Sequence, residues 1–524
     1  MPHTPPRYAP APRPQGTAHH GVVVAGGGLV GLTLALDLAQ HGMPVVVLDD
    51  DDTVSTGSRA ICFAKRTLEI FARLSLGPRM LAKGVQWNVG RVFAGEREVF
   101  SFDLLPEDGH EYPAFVNLQQ YYAEEWLVEA CAATGLVDLR WRHRITDVQP
   151  RADGVTVEVE TPAGPYTLTT DWLLAADGAR SFVRERMGLP FVGRVFRDRF
   201  LIADVVMQAP FPTERWFWFD PPFHRHQSAL LHKQPDNVWR IDLQLGWDAD
   251  PEEEKRPERV IPRVAAMLGP DVPFTLEWVS VYTFRCRRLE RFVHGRVVFV
   301  GDSAHQVSPF GARGGNGGVQ DADNLAWKLA AVLRGQAGAG LIDTYDNERI
   351  PASDENIGHS TRATDFITPK TDAARAYRDA ALALAERHAF ARPLVNSGRL
   401  SRPARVPVAG DTDAWPGCVL PGSVAVDAPV GDGDWLLRHL GRDWVLLVFG
   451  APVPPVPGLR VVRVAPDALP DVRGLAAERY GAPEGACVLL RPDQHVQAVF
   501  QRFDARRIAA ALAAAMGRPA LEAA

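Results

Sequence analysis

The sequence predicts an α/β chain in three parts. A parallel-sheet domain is interrupted by a mostly antiparallel sheet, and a small α/β domain follows. Three observations lead there. Short apolar runs that stop at glycines and pass into helical patterns occur twice, over residues 21–52 and 296–333. Between them, residues 191–285 carry short strand-like runs with little helical periodicity. From residue 431 strand-like and helical stretches mix again.

Taken in order, residues 1–20 are rich in Pro and lack an apolar core segment, so they read as a disordered tail and not as a signal peptide. Val22–Ala25 is a short buried strand, and Gly26, Gly28 and Gly31 behind it fit GxGxxG. A helix runs on to about His41, stopped by Gly42 and Pro44; the strand Val45–Leu48 then ends at Asp49. Strand, glycines, helix, strand and acid form a Rossmann-like unit in which Asp49 is placed to bond a ribose hydroxyl. Arg59–Leu76 reads as a helix with Arg59 just ahead of it, near a phosphate or cofactor edge. Residues 86–118 include edge-like strands that leave this domain, and Gln119-Gln120 opens a helix that returns to it. A hairpin over 154–170 leads to the buried strand Trp172–Ala176, which ends at Asp177-Gly178. The first part of the nucleotide domain is thus 21–190.

Strands are expected at 200–206, 215–219, 229–232, 238–245 and 274–284, with one helix at 257–268, as a sheet domain spanning 191–285. Arg240, Asp242 and Gln244 alternate with Trp239, Ile241 and Leu243, so three polar side chains share one face of a strand. That face is either solvated or the wall of a ligand cavity. The cluster Trp216–Phe219 reads mainly as core, with one ring, Trp218, a candidate to face a flat substrate. The nucleotide domain resumes over 286–391 with the buried strand Val297–Val300, then Gly301-Asp302, then a loop rich in glycine around Gly315, Asn316 and Gly317. Glycines let backbone N–H groups approach a flat ligand, and the helix start behind them suits one that becomes anionic, as a reduced flavin does. Residues 392–430, rich in Pro, Gly and Asp, read as a linker, and 431–524 as the closing domain.

Composition narrows the function. A net charge of −6 without a basic run argues against nucleic acid, and no apolar stretch is long enough for a membrane span. The five cysteines are scattered and never in CxxC, which points to a reducing, cytoplasmic setting and offers no thiolate metal site.

Gly26-x-Gly28-x-x-Gly31, Asp177-Gly178 and Gly301-Asp302, in this order and spacing, resemble the FAD-dependent aromatic hydroxylases, the single-component flavoprotein monooxygenases. The terminal domain, with Val488–Asp493, is similar to the thioredoxin-like domain of the phenol hydroxylase and 3-(3-hydroxyphenyl)propionate hydroxylase branch, and it lacks CxxC, so a dithiol redox role is not expected. The resemblance implies FAD and NAD(P)H as cofactors, with no metal. A hydride reduces the flavin, O2 adds to it, and a C4a-hydroperoxide hydroxylates a phenolic or polyketide-like ring. It places the pyrophosphate at Gly26, Gly28 and Gly31 and the adenosine ribose at Asp49, with Arg59 and Gln120 near the cofactor. Asp177 and Gly178 serve FAD and the pyridine nucleotide. Asp302 holds the ribityl chain, and Pro309, Gly315, Asn316 and Gly317 face the flavin ring. Arg240 is the one candidate for a catalytic role. Arg240, Trp218 and Pro309 are the substrate candidates. The terminal domain is expected to serve packing or a homodimer, and to be dispensable for flavin chemistry because every cofactor motif precedes it. A flavin halogenase, a flavin oxidase and a flavoprotein that binds an aromatic ligand without turnover are the rival readings. Trp216–Asp220 does not complete the halogenase pattern GWxWxIP.

Overall fold

Val22–Ala25, Val45–Leu48 and Leu173–Ala175 are apolar on both faces, which suits strands covered by helices on each side. In the computed structural model, which describes residues 3–57, 59–396 and 402–518, they form the middle of an eight-stranded mixed sheet. Its order is Val293–His294, Val297–Phe299, Tyr166–Ala175, Ala18–Ala25, Val45–Asp49, Val137–Trp141, with the hairpin Arg144–Pro150 and Val155–Glu160 attached beside Tyr166–Ala175. The central pairs are parallel. Their register sets Ala25 against Ala175 and Leu48, and Ala175 against Phe299. Four strands therefore end at one level, and the residues that follow them (Gly26, Asp49, Asp177, Gly301) meet along one sheet edge.

The second eight-stranded sheet runs His305–Gln306, Phe274–Arg288, Val192–Met207, Val238–Leu245, Ser228–Lys233, Arg215–Phe219, Val89–Ala94, Arg97–Asp103. Its pairs are antiparallel except that between Arg215–Phe219 and Val89–Ala94. Its edge strand His305–Gln306 pairs with Arg287 and Arg288 immediately after the Gly301–Ser303 turn, so the two sheets are joined at that turn. The helix Pro257–Leu268 covers one face through Val260, Val264 and Leu268. A four-stranded sheet, Arg460–Val464, Val445–Phe449, Cys487–Leu490, Val496–Phe500, builds the C-terminal part.

Several expectations are corrected. Residues 3–17 are not a free tail. Tyr8 stacks on Trp141 at 4.6 Å, its N–H donates to the Asp52 carbonyl, and the first strand already begins at Ala18. The 59–76 helix starts later, because Cys62–Ala64 pairs as a strand with Phe115–Asn117 before the helix Lys65–Arg73. The glycines after 313 are not a loop. They form the first turn of the helix Gly314–Leu333, where missing side chains let side chains such as Leu29, Val30 and Ala60 come close. Of the 392–430 stretch, 397–401 lie outside the described residues; Val406, Val419, Ala425 and Ala428 within the rest are buried.

The C-terminal part is tied by charge to the Gly314 helix and to the helix Gly340–Ile367, which carries Glu348. Arg491 donates two hydrogen bonds to Glu348 at 2.9 and 2.8 Å, and Asp493 accepts from Trp327 and Asn324. The carbonyls of Pro492 and Asp493 accept from Arg73 and Arg66. Burial opposes ionisation of Glu348, yet Arg491 and Lys328 hold its pKa at about 2.

Candidate active site

The glycines after the first strand are required by contact. A Cβ on Gly31 would stand 2.0 Å from the Gly26 carbonyl oxygen, and one on Gly26, at φ +101°, would stand 2.6 Å from that of Ala176. The helix Leu29–Gln40 thus starts hard against the strand ends, and its first-turn N–H groups have no intrahelical acceptor. Asp49 accepts from the Gly27 N–H at 2.5 Å and from Asp51 at 2.8 Å; burial nevertheless pushes its pKa up to about 6. Asp177 accepts from the Val183 N–H, while its Oδ1 is buried without a partner, and burial raises its pKa. Gly178, at φ +76°, faces open space.

Asp302 lies in the turn between the sheets, and its carboxylate accepts no hydrogen bond from the described residues. Burial raises its pKa, against the pull of His305 and Arg59. A Cβ on Gly314 would lie 3.9 Å from Asp302 Oδ1, and one on Gly315 would lie 3.3 Å from Ala60 and 3.4 Å from Leu29. Asp302, the residue after Arg59, the Gly26–Gly31 turn and the start of the Gly314 helix therefore surround one space. Asn316 turns its side chain away from that space: it accepts from the Ala64 N–H and donates to the carbonyls of Cys62 and Ala312. Only its backbone remains available to a ligand. Pro309 is exposed at the mouth, while Phe310 next to it wedges between Phe200 and Phe284 of the second sheet at 5.2 and 5.1 Å. Ala312 in the same turn is held at φ +53°, a conformation costing a non-glycine residue on the order of 1 kcal/mol.

The second sheet faces this space with its polar row, of which Arg240 is buried and Asp242 and Gln244 are half-buried. Arg240 is opposite His232 on one side and Asp204 on the other, and Arg215 lies one residue before the Trp216–Leu231 pair on the same row. Arg240 donates to Asp204 at 3.2 Å and to the Arg59 carbonyl at 3.0 Å, which joins the sheet to the nucleotide domain. Two residues along, Asp242 is flanked by Leu230 and Ile202; beyond it Gln244 is opposite Phe200, which is opposite Tyr282. Trp218 is displaced from the expected substrate wall. It pairs with Ala229, which pairs with Leu243, so it points to the far face and stacks on Phe93 at 5.3 Å. Phe217, paired with Leu230, takes the Asp242 face instead.

Four residues escaped the sequence reading. Glu124 accepts from the N–H groups of Leu29 and Ser55 and from Gln120, whose own Oε1 accepts from Ala60. Its signal was the i, i+4 spacing from Gln120. Asp321 accepts from the Gly301 N–H, His305 and Arg349, and these two side chains hold its pKa low although burial opposes them. His232 lies 3.9 Å from Asp242. Tyr282 is 42% exposed, yet burial leads the causes that push its hydroxyl pKa to about 12, with Asp302 next; it faces an internal cleft.

A family model described as FAD binding domain matches residues 19–360. The 6-methylpretetramide 4-monooxygenase of Streptomyces rimosus is 32% identical over 531 residues, covering 94% of this chain and 93% of that protein. The 3-(3-hydroxy-phenyl)propionate/3-hydroxycinnamic acid hydroxylase of Mycolicibacterium smegmatis is 30% identical over 362 residues, 68% of this chain and 63% of its own. The crystal structure of the flavin-dependent monooxygenase PieE in complex with FAD and substrate shares the fold, with a TM-score of 0.82 at 24% identity, covering 96% of this chain and 99% of that one. These relatives are monooxygenases and hydroxylases, which favours that activity over a halogenase, an oxidase or a binding protein without turnover. The chain belongs to the FAD-dependent aromatic hydroxylases and is a flavoprotein monooxygenase, an oxidoreductase of the kind that works with FAD and NAD(P)H.

Proposed function

We propose that this enzyme hydroxylates a phenolic, fused-ring substrate of the polyketide kind, bound between the Arg240 face and Pro309. The convergence of Asp302, the Gly314 helix start and the Arg240–Arg59 contact around one space carries this reading. Its support for the substrate class is the S. rimosus relative, which matches nearly the whole chain and is named for 6-methylpretetramide.

FAD supplies the hydride-accepting and oxygen-activating chemistry, and the residues present fit it. The Gly26, Gly28 and Gly31 turn has no room for a Cβ at two of its positions, and Asp177 keeps an unsatisfied oxygen. In this reading the first-turn N–H groups take the pyrophosphate, Asp49 the adenosine ribose and Asp302 the ribityl chain. Arg59 and Gln120 flank the cofactor, and Asp177-Gly178 contacts FAD and passing nicotinamide. Pro309 and the backbone of Gly315, Asn316 and Gly317 lie against the ring. Glu124 and Asp321 position these groups, and Arg240 orients the sheet wall toward them.

The chain divides in this reading into a nucleotide domain over 21–190 and 286–391, a substrate domain over 191–285 and a thioredoxin-like domain over 431–524. O2 as co-substrate, a homodimer and a cytoplasmic setting belong to the same proposal. Five free cysteines among the described residues support a reducing compartment. No helix among the described residues is long and apolar enough to cross a membrane.

The test is oxygen uptake by the purified yellow protein with NADPH or NADH and a panel of hydroxylated rings. A ring that stimulates uptake and gains one oxygen atom by mass supports the reading. Uptake that every ring leaves unchanged, with no oxygenated product, refutes it.

A further inference from the structure

We infer that Asp242 is the specificity-determining acceptor for the substrate's ring hydroxyl. The inference rests on the substrate lying against the Arg240 face. Asp242 stands at the centre of that face, between rows of apolar and charged side chains. Leu230 and Ile202 flank it on neighbouring strands and Phe217 lies beyond Leu230, so a flat ring laid on this face meets apolar side chains to either side of the carboxylate.

Its carboxylate is only partly used. Oδ1 is buried and has no hydrogen-bond partner, and Oδ2 lies 3.9 Å from His232 Nε2, beyond a direct hydrogen bond. His232 is itself buried, with Nδ1 unpartnered. A buried unsatisfied acceptor is costly, and a site built around one selects for the ligand that satisfies it. The ligand must therefore bring a donor, and on the phenolic ring of the proposed substrate that donor is the hydroxyl. A carboxylate at the same end of the ring would meet like charge, and an ether would leave the oxygen unsatisfied.

The surroundings favour an ionised acceptor at neutral pH. Arg240 and Arg215 favour the carboxylate form, Asp204 opposes it, and Cys62 from the nucleotide domain faces the group as a neutral thiol whose pKa burial raises to about 11. His232 is kept neutral by burial and by the same two guanidinium groups. Burial leaves Asp242 with a pKa of about 6. Hydroxyl recognition should then be full above that pH and lost as the pH falls through it.

Titration of the full-length, FAD-loaded enzyme with 2-naphthol and 2-methoxynaphthalene, between pH 5 and pH 8, tests the assignment. Wild type is expected to prefer the naphthol at least tenfold at pH 8, with the preference vanishing below about pH 6. Asp242→Asn, and Asp242→Ala should the first variant not fold, is expected to bind both compounds alike with no pH step; bound FAD verifies the fold. A variant that keeps both the preference and the pH step overturns the assignment and leaves the substrate reading standing. Wild-type protein that binds neither compound, nor any phenolic ring of the uptake panel, sinks both together.

Discussion

Asp302 is a half-buried carboxylate that accepts no hydrogen bond from the described residues, and in the proposed reading it takes a ribityl hydroxyl of FAD. Replacing it with Ala removes a charge-assisted hydrogen bond worth about 1.5–3 kcal/mol, so FAD affinity should drop roughly tenfold to a hundredfold. Fluorescence titration of the apoprotein reads this directly, and an unchanged dissociation constant removes Asp302 from the site. Asp49 gives a pH test. Its folded-state pKa of about 6 lies above its ordinary 3.8, so between these values the folded chain keeps a proton that the unfolded chain has released. Its contribution to stability therefore declines as the pH rises through that window. A ribose hydroxyl stabilises the ionised form, so FAD affinity should weaken below about pH 6, by up to about tenfold per unit. Asp49→Asn should flatten the profile; a flat profile in the wild type contradicts the role.

At the scale of elements, the glycines separate into those that bear on backbone and those that bear on side chains. A Cβ at position 31 strikes the rigid Gly26 carbonyl, whereas one at position 318 meets the Val30 side chain at 2.5 Å, which can rotate. Gly31→Ala should abolish FAD retention, while Gly318→Ala should keep most of it; equal loss in both would show that the first helix does not need its close approach. The Gly26–Asp49 unit was legible because its period, glycines and acid are all local in sequence. So were the strands of the second sheet and of the C-terminal part. What sequence could not show was register. Trp218 and Phe217 are adjacent and equally aromatic, and only pairing with Ala229 and Leu230 decides which meets the substrate face. For the same reason the polar row of Arg240 allowed a solvated reading: the carbonyl that Arg240 meets belongs to Arg59, far away in the chain. The late start of the 59–76 helix has a tertiary cause as well, since Cys62–Ala64 is claimed by the Phe115–Asn117 strand.

For the whole molecule, the C-terminal part is no passive appendage. Arg491, Asp493 and Glu348 form a buried network against the Gly314 helix, with Lys328 and Arg66 among their partners. Breaking one partner of such a pair costs about 3–5 kcal/mol. Arg491→Ala should therefore lower the urea midpoint sharply, and a chain ending near Arg405 should lose FAD retention, against the expectation from motif position. A truncated chain that folds and holds FAD normally would restore the simpler view. Glu348 adds an acid limit. Its pKa is depressed from 4.5 to about 2, so its contribution is complete above pH 4.5 and disappears as the pH falls toward 2.

Phe310 makes the chain's two functions mechanically continuous. Its ring is clasped by Phe200 and Phe284 of the second sheet, and four residues later the Gly314 helix begins, with a strained Ala312 between. In the proposed reading such a short connection would work as a latch, passing the pressure of a substrate ring on Phe310 to the flavin before any electron has moved. An enzyme coupled in this way would draw on its reductant only when there is something to oxidise. Stopped-flow reduction by NAD(P)H without oxygen should run at least about tenfold faster with substrate present, about 1.4 kcal/mol of barrier. Phe310→Ala should erase that difference while the slow, unprompted rate persists, leaving an enzyme that spends its reductant without regard to its guest.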